Sequence, residues 1–329
     1  MRYPKLSTRA PFHLEATVRV LQRRPTNLVD VWDRGRYMRV LALPDGLALV
    51  QVQNRGTIDN PDIRFSILNR SPSSAMNVGA SSALHRILGL GIDPAPLQRR
   101  AAAERALSAT GIALRGMRPP RFSSLFETFA SVVPFQQLSL DAGVAIVSRL
   151  VVKFGEHLEH DRRRFYAFPT SRAIAAARLD ALRACGLSTQ KAQTLRGLAR
   201  AVESGAVNEE RLAVMSTSAA FEKLVELPGI GPWSAGVVLL RGLGRLDVFP
   251  SGDVGAARGL RTLMRLGPHA PLDPVIERFG DHRGYLYFCA LGGWLLTKGL
   301  VHPAPEKQDR ILNSRRKQPA LQKRARARP

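Results

Sequence analysis

The chain has 329 residues, with 49 Lys and Arg against 26 Asp and Glu, and its net charge is +23. Residues 306–329 contain nine basic and two acidic residues, so residues 1–305 still carry +16. A folded body with this much positive charge is typical of proteins that bind a polyanion; nucleic acid is the first candidate and a membrane surface the second. The length and a hydrophobic content of 45% predict about two folded domains.

Cysteine content and apolar runs exclude several classes of protein. The two cysteines, Cys185 and Cys289, are too few for a disulfide framework, an all-cysteine zinc site or an all-cysteine iron–sulfur cluster. The N-terminus has no apolar signal-peptide stretch, and the longest uncharged apolar run, residues 285–296, is shorter than the ~20 residues that span a bilayer. We therefore predict a cytoplasmic protein without a metal site or a membrane partner.

The first 80 residues have a strand-like pattern. Residues 37–43 and 47–52 are apolar runs on either side of a Pro-Asp-Gly turn, which is the pattern of a β-hairpin. Residues 13–20 and 62–68 alternate between apolar and polar side chains, as strands with one buried face do. The sequence predicts a small antiparallel sheet domain at residues 1–80.

From residue 81 onward, nearly every segment has a helical period. Glycines and prolines separate these segments at positions where helices end or begin. We predict an all-helical body at residues 81–305, and hence a mainly helical α+β fold. A disordered basic tail is predicted at residues 306–329.

Residues 219–241 contain two apolar helical segments joined by the hairpin Leu-Pro-Gly-Ile-Gly-Pro. Gly229 and Gly231 flank Ile230 in this hairpin, and glycine tolerates a positive φ and lets the backbone approach a ligand closely. Pro232 fits the first turn of the second helix, whose free N–H groups face the turn. Such a hairpin can bind a phosphate through its backbone without reading a base. An ordinary pair of helices with a glycine-capped turn has the same pattern.

The segment after the hairpin favours a phosphate-binding hairpin over an ordinary glycine-capped turn. Residues 247–255 read Asp-Val-Phe-Pro-Ser-Gly-Asp-Val-Gly, and a hairpin followed by such a loop and an aspartate resembles the helix-hairpin-helix base-excision DNA glycosylases. Gln-Gln-Leu-Ser at 136–139 and Arg-Gly-Tyr at 283–285 match further motifs of these enzymes. Within them the chain looks most like the 3-methyladenine DNA glycosylase II branch. The resemblance covers roughly residues 86–301 and extends more weakly to the N-terminal sheet.

The resemblance implies that Asp253 is the catalytic residue. Cleavage of an N-glycosidic bond builds positive charge on the deoxyribose, and an ionised carboxylate near the anomeric carbon stabilises that charge and orients the attacking water. Asp253 also stands directly before a predicted helix, where an aspartate caps the N-terminus, and the two roles are compatible. Asp247 is the nearest alternative carboxylate, and we expect a structural role for it.

Trp233 occupies the position at which bifunctional members of the family carry a nucleophilic lysine. Because an indole is not a nucleophile, the resemblance implies a monofunctional enzyme that releases the base and leaves an abasic site. Trp233 is also a candidate for lining the base pocket, where its ring would stack on an electron-poor alkylated purine. The alternative is a tryptophan that packs in the core near the start of a helix.

Two further assignments follow from the resemblance. Gln137 matches the wedge that fills the gap left by a flipped base, although both glutamines of that motif also suit the capping of neighbouring helices. The family often places a base-stacking tryptophan eight residues after the arginine that matches Arg283, where this chain has a leucine. Either Trp294 has taken over the stacking, or the stacking depends on Trp233 and Tyr285.

The sequence therefore predicts a monofunctional DNA N-glycosylase of base excision repair that flips alkylated purines of the 3-methyladenine type out of duplex DNA. The alternatives are a glycosylase of the same fold for deaminated or oxidised bases such as uracil and hypoxanthine, and a noncatalytic helix-hairpin-helix DNA-binding protein. We expect a monomer without a cofactor that associates with the bacterial nucleoid while it scans DNA. The resemblance leaves open a monovalent cation at the hairpin carbonyls.

Overall fold

A computed structural model describes residues 3–305 of the chain, and the predicted basic tail at residues 306–329 lies outside them. Its strands are β1 (Lys5–Leu6), β2 (Val31–Asp33), β3 (Arg36–Leu43), β4 (Gly46–Asn54), β5 (Ile63–Ile67), β6 (His157–His160) and β7 (Arg163–Tyr166). The first five strands form one antiparallel sheet in the order β1-β5-β4-β3-β2, and β6 pairs with β7.

The α-helices occupy most of the remaining chain. They are α1 (Leu14–Gln22), α2 (Ser74–Ile87), α3 (Pro94–Ala103), α4 (Ser108–Ala113), α5 (Leu125–Ala130), α6 (Leu140–Phe154), α7 (Ser171–Ala176), α8 (Leu179–Arg183), α9 (Thr189–Glu203), α10 (Glu209–Val214), α11 (Thr217–Val225), α12 (Pro232–Val237), α13 (Val254–Met264), α14 (Asp273–Arg278) and α15 (Arg283–Thr297). A π-helical segment at Val238–Leu243 continues α12. The fold is thus the predicted mainly helical α+β fold.

The N-terminal sheet follows the sequence pattern closely at its centre. Strands β3, β4 and β5 lie at the predicted segments 37–43, 47–52 and 62–68, so these three predictions are confirmed. Leu43 pairs with Gly46 at the tight turn between β3 and β4. Gly46 has a φ of +106°, a conformation that glycine adopts without strain. Helices α1 and α2 supply apolar side chains to the same core as the sheet.

The prediction of a strand at residues 13–20 is wrong, because the segment forms helix α1. The apolar residues Leu14, Ala16, Val18 and Val20 alternate as in a strand, but the two residues of the helix that are not buried, Glu15 and Arg19, are four apart and share one helical face. The helix packs against α15 as well as against the sheet. Its N-terminus is capped by His13, whose side chain accepts a hydrogen bond from the Ala16 N–H at 3.3 Å.

The helical body contains one element that the sequence analysis did not predict, the hairpin of β6 and β7. His157 pairs with Tyr166 and His160 with Arg163, and the turn between the strands places Asp161 and Arg162 at positive φ. A bridge between Val40 and Ala167 joins the end of this hairpin to the N-terminal sheet. The body is therefore helical apart from this two-stranded addition.

A buried ion pair joins the N-terminal sheet to the helical body. Arg39 of β3 donates to Asp30 at 2.7 Å and to Glu127 of α5, and all three side chains are almost fully buried. Burial lowers the pKa of Arg39, but the carboxylates of Glu127 and Asp30 outweigh it and raise the pKa well above its ordinary value. Removing one partner of such a buried pair costs about 3–5 kcal/mol, so each of the three side chains is needed for a stable joint.

None of the helices within residues 3–305 is long and apolar enough to cross a membrane.

Candidate active site

The predicted hairpin is present between α11 and α12, and its two glycines have different surroundings. Gly229 has a φ of +80°, and a Cβ at that position would lie 2.3 Å from Oγ1 of Thr194 in α9. Gly231 is extended, and nothing lies within 4 Å of where its Cβ would be. Ile230 between them is buried in the helical core, and Pro232 is the first residue of α12. The lack of a side chain at Gly229 therefore allows the hairpin to pack closely against α9, whereas the backbone at Gly231 is exposed.

The segment at residues 133–139, which we call the wedge loop, precedes α6 and contacts the hairpin directly. The side-chain N–H of Gln136 donates to the Gly229 carbonyl at 2.8 Å and to Oγ of Ser234 at 3.0 Å. Lys191 of α9 donates to the Gln136 carbonyl at 2.5 Å. Gln137, the predicted wedge, is exposed with a φ of +56°. The loop is thus fixed at Gln136 and projects the next side chain outward.

Asp253 accepts a hydrogen bond on each of its carboxylate oxygens. Oδ1 accepts from the Ala256 N–H at 2.8 Å, which makes Asp253 the N-cap of α13. Oδ2 accepts from Nε1 of Trp233 at 2.9 Å. The sequence predicted the cap and placed Trp233 in a base pocket or in the core, whereas the structure gives this indole a polar contact with the carboxylate. The two bonds hold the Asp253 carboxylate in one orientation.

A cleft of about 510 Å³ opens beside Asp253 on the surface of α13. Arg258 and Arg261 line it together with Gly252 and Val254. Arg261 is held by a hydrogen bond from its Nε to the Ala270 carbonyl at 2.9 Å. The cleft therefore combines the candidate catalytic carboxylate with two guanidinium groups that suit phosphate.

The two remaining aromatic candidates lie in different surroundings. Tyr285 is 4% exposed and packs in the same core as Leu240 and Cys289, and burial raises its pKa well above the ordinary value. A ring enclosed by core side chains has no free face for a flipped base, which corrects the prediction that Tyr285 lines the base pocket. Trp294 is partly buried, and the guanidinium carbon of Arg24 lies 4.3 Å from its ring centroid.

The hairpin carbonyls bear on the question of a monovalent cation. The carbonyls of Leu227, Gly229 and Gly231 accept hydrogen bonds from Ile230, Gln136 and Ala235 respectively. A carbonyl oxygen retains a second lone pair, so a cation at the hairpin stays a prediction. Within residues 3–305 there is no group of three or more His, Cys, Asp and Glu side chains placed to hold a metal ion.

Sequence reasoning missed the residues that join the site together. Gln136 links the wedge loop to the hairpin, yet in the sequence it is distinguished from Gln137 only by its place in the motif. Lys191 and Thr194 lie on α9, more than 30 residues before the hairpin, and no local pattern marks them. The Trp233–Asp253 hydrogen bond joins residues 20 positions apart. These contacts arise only when the helices pack.

Comparisons with known proteins identify the family of this chain. The sequence model of the HhH-GPD superfamily base excision DNA repair proteins matches residues 130–278, and that of the AlkA N-terminal domain matches residues 4–124. The chain therefore belongs to the HhH-GPD base excision repair family and carries an AlkA N-terminal domain.

Individual relatives point to the alkylation-repair branch of that family. The DNA-3-methyladenine glycosylase of Bacillus subtilis is 26% identical over 268 residues, 81% of this chain and 88% of its own. The structure of a 3-methyladenine DNA glycosylase from Archaeoglobus fulgidus has a TM-score of 0.72 and 28% identity over 88% of this chain and 98% of its own. A Schizosaccharomyces pombe 3-methyladenine DNA glycosylase in complex with abasic DNA has a TM-score of 0.50 and 25% identity, covering 60% and 95%.

Proposed function

We propose that this DNA glycosylase is monofunctional and releases alkylated purines of the 3-methyladenine type from duplex DNA. Two relatives that match more than 80% of this chain are named as 3-methyladenine DNA glycosylases, which supports this substrate class. The observation that carries the proposal is the contact between Trp233 and Asp253. Asp253 caps α13 beside an open cleft, and the side chain that contacts it from α12 is an indole rather than an amine, which supports a monofunctional reaction.

The proposed chemistry is hydrolysis at the anomeric carbon of the damaged nucleotide. As the bond from C1′ to the purine nitrogen breaks, its electron pair leaves with the base and the sugar becomes oxocarbenium-like. The Asp253 carboxylate stabilises this positive charge and accepts the proton of the water that adds to C1′. The indole N–H of Trp233 and the Ala256 N–H fix the direction in which the carboxylate points.

The hairpin and the wedge loop are the segments that we propose bind the DNA. The backbone around Gly231 faces open space at the start of α12 and suits a phosphate without reading a base. Gln137, exposed beyond the fixed Gln136, is placed to fill the gap when a base leaves the stack. Flipping costs roughly a few kcal/mol, part of which the wedge recovers. We further propose that the protein acts as a monomer in the cytoplasm.

Alkylated purines suit a site with one carboxylate. Purines alkylated at N3 or N7 are cationic in DNA and leave as neutral bases, so they need no dedicated general acid. Unmodified purines are poorer leaving groups, and leaving-group chemistry itself then contributes to selectivity. The described site offers Asp253 as the carboxylate near the cleft, which matches this requirement.

The proposal is tested by base release from a panel of duplexes. Each duplex carries one modified base, namely 7-methylguanine, 3-methyladenine, hypoxanthine, uracil or 8-oxoguanine, opposite its normal partner. We expect release of the methylated purines and strand breaks only after alkali, because the enzyme leaves an intact abasic site. Strand cleavage without alkali would contradict the monofunctional assignment. DNA binding without release of any base would favour a noncatalytic role.

A further inference from the structure

The cleft beside Asp253 continues along the whole length of α13. Gly252 and Val254 line it at the N-terminus of this helix, whereas Leu266 and Pro268 line it beyond the C-terminus. A helix of 11 residues is about 16 Å long, since each residue adds about 1.5 Å. The cleft therefore extends well past the carboxylate that the proposed reaction uses.

Two arginines on the outer side of α13 line this cleft. The buried residues of the helix, Ala256, Leu260 and Met264, lie on its other side. Arg258 and Arg261 are three positions apart, so they share a helical face, and both line the cleft. Arg258 is exposed and Arg261 is partly exposed. The two guanidinium groups thus form a positive surface inside the cleft.

Neither arginine is neutralised by a carboxylate within residues 3–305. Arg258 and Arg261 form no salt bridge there, unlike Arg163, which pairs with Asp33 at 2.6 Å. Residues 254–272 contain three arginines and no acidic residue. Among the residues that line the cleft, Asp253 is the one carboxylate. The positive charge of this surface is therefore available to an anion from outside the chain.

The Arg261 side chain is anchored while most of its donors stay unused. Its Nε donates to the Ala270 carbonyl at 2.9 Å, which ties the guanidinium to the loop after α13. A guanidinium has five N–H donors, so four remain on the two Nη atoms, and no residue within 3–305 accepts from them. A planar fork of N–H groups matches two oxygens of a phosphate. Arg261 is therefore positioned to bind a phosphate in the cleft.

The two arginines adjoin the hairpin that we propose binds DNA. Trp233, the second residue of α12, donates to Asp253 at the start of α13, so the N-termini of the two helices are neighbours. Gly231 directly precedes α12, and its backbone is exposed. A DNA strand with one phosphate at the hairpin can therefore pass Asp253 and continue along the cleft.

We propose that Arg258 and Arg261 form a second phosphate-binding site, which holds the backbone of the same DNA duplex next to the nucleotide at Asp253; this inference rests on the proposed function. The site supplies charge and reads no base, so it binds damaged and undamaged DNA alike. It also offsets a repulsion, because the Asp253 carboxylate and the phosphates of the strand have the same sign of charge. Two arginines without carboxylate partners in the same cleft reduce that cost.

The test measures affinity for an undamaged duplex at several salt concentrations, in the wild type, Arg258→Gln, Arg261→Gln and the double variant. Each lost phosphate contact lowers the slope of log affinity against log salt by about 1, so the double variant should lose about 2. At ~0.1 M salt, each substitution should lower the affinity about threefold to tenfold. Arg258→Lys and Arg261→Lys keep the charge and should keep the wild-type slope.

This assay releases no base, so its result is separate from that of the panel of modified duplexes. A protein that shows the expected slopes but releases no base would overturn the proposed function and leave the second phosphate site standing. Arg258 makes no hydrogen bond or salt bridge within residues 3–305, so Arg258→Gln keeps the test decisive if Arg261→Gln does not fold.

The control is Arg34→Gln, because Arg34 is exposed in the turn between β2 and β3 and its loss changes the net charge equally. Its slope should equal that of the wild type. A wild-type slope in the double variant, or an equal loss of slope in Arg34→Gln, would overturn the proposal. Equal losses in the glutamine and lysine variants would also overturn it, because the arginines would then act only in the fold.

A second measurement locates the contact on the DNA. One phosphate at a time is replaced in the duplex by a neutral methylphosphonate, and affinity is measured for the wild type and the double variant. The wild type should lose affinity at the phosphates bound by the hairpin and at those bound by the arginines, whereas the double variant should lose it only at the first set. Identical profiles for the two proteins would show that the arginines bind no phosphate and would overturn the proposal.

Discussion

Two groups of residues meet at the wedge loop, and they are held by different kinds of contact. One group, which we call the hairpin side, consists of Gly229, Gly231, Trp233, Gln136 and Asp253. It is held by hydrogen bonds of 2.8–2.9 Å, which Gln136 donates to the Gly229 carbonyl and which Trp233 and the Ala256 N–H donate to the Asp253 carboxylate. The other group, which we call the arginine side, consists of Arg23, Arg24, Phe135 and Trp294. Its guanidinium carbons lie over aromatic rings, 4.8 Å from the Phe135 centroid for Arg23 and 4.3 Å from the Trp294 centroid for Arg24. The hydrogen bonds fix the orientation of the side chains that they join, whereas the guanidinium groups set the electrostatic potential at the rings that they cover.

This difference predicts different consequences of substitution. Changes on the hairpin side should alter DNA binding or the position of the Asp253 carboxylate, and so affect every lesion alike. Changes on the arginine side should alter the packing of the N-terminal region against α15 and leave the Asp253 carboxylate in place. The variants below probe the hairpin side, and any of them that slowed release of one lesion and not of another would break the comparison.

The largest effect on the fold is expected at the hairpin glycines. Gly229→Ala forces a side chain into positive φ and against Thr194, so it should lower the free energy of unfolding by about 2–3 kcal/mol. Gly231→Ala, the matched control, has an extended backbone and open space, so its stability should match the wild type while DNA affinity falls. Urea unfolding and a DNA titration separate the two. Equal losses of stability would contradict the different roles given to these glycines.

The next effect concerns the hydrogen bond to the carboxylate. Trp233→Phe keeps an aromatic ring but removes the N–H that donates to Asp253, and a hydrogen bond to a charged group is worth about 1.5–3 kcal/mol. We therefore expect base release to slow roughly tenfold to a hundredfold with DNA affinity unchanged. Trp32→Phe in the N-terminal sheet is the matched control and should retain the wild-type rate. A wild-type rate in Trp233→Phe would show that this bond has no part in catalysis.

The smallest effect is expected at the wedge. Gln137→Gly suits the positive φ at this position, so the fold should be at least as stable, but it removes the side chain that fills the gap. We expect release from a fully paired duplex to fall several-fold, on the order of 1 kcal/mol, and release from an unpaired bubble to fall less. Single-turnover rates on the two substrates measure this. Equal rates for variant and wild type on paired DNA would mean that Gln137 is not the wedge.

The elements that depend on a local sequence pattern could be predicted. The β3–β4 hairpin, strand β5 and the helix-hairpin-helix each depend on residues close together in sequence, and Asp253 caps the helix that directly follows it. Helix α1 was missed because its apolar residues also alternate as in a strand, whereas its two unburied residues, Glu15 and Arg19, have the i, i+4 spacing of a helical face. Burial by distant segments placed Tyr285 in the core, and Trp294 packs partly buried against the same core.

Contacts between distant segments could not be read from the sequence. Arg24 and Trp294 are 270 positions apart, and Asp141, which fixes Arg24, is 117 positions from it. The sequence showed an excess of positive charge but not that an arginine would lie over the ring of Trp294. Pairings of this kind are decided by packing, since a motif specifies only its own neighbourhood.

The central claim is that Asp253 carries the chemistry, and Asp253→Asn tests it most directly. Asparagine caps a helix as well as aspartate does, so the fold and the hairpin should persist. Single-turnover release of 7-methylguanine should fall by about a hundredfold to a thousandfold, while affinity for the same duplex stays within about twofold of the wild type. Asp247→Asn serves as the control and should retain activity. Wild-type release by Asp253→Asn would contradict the account.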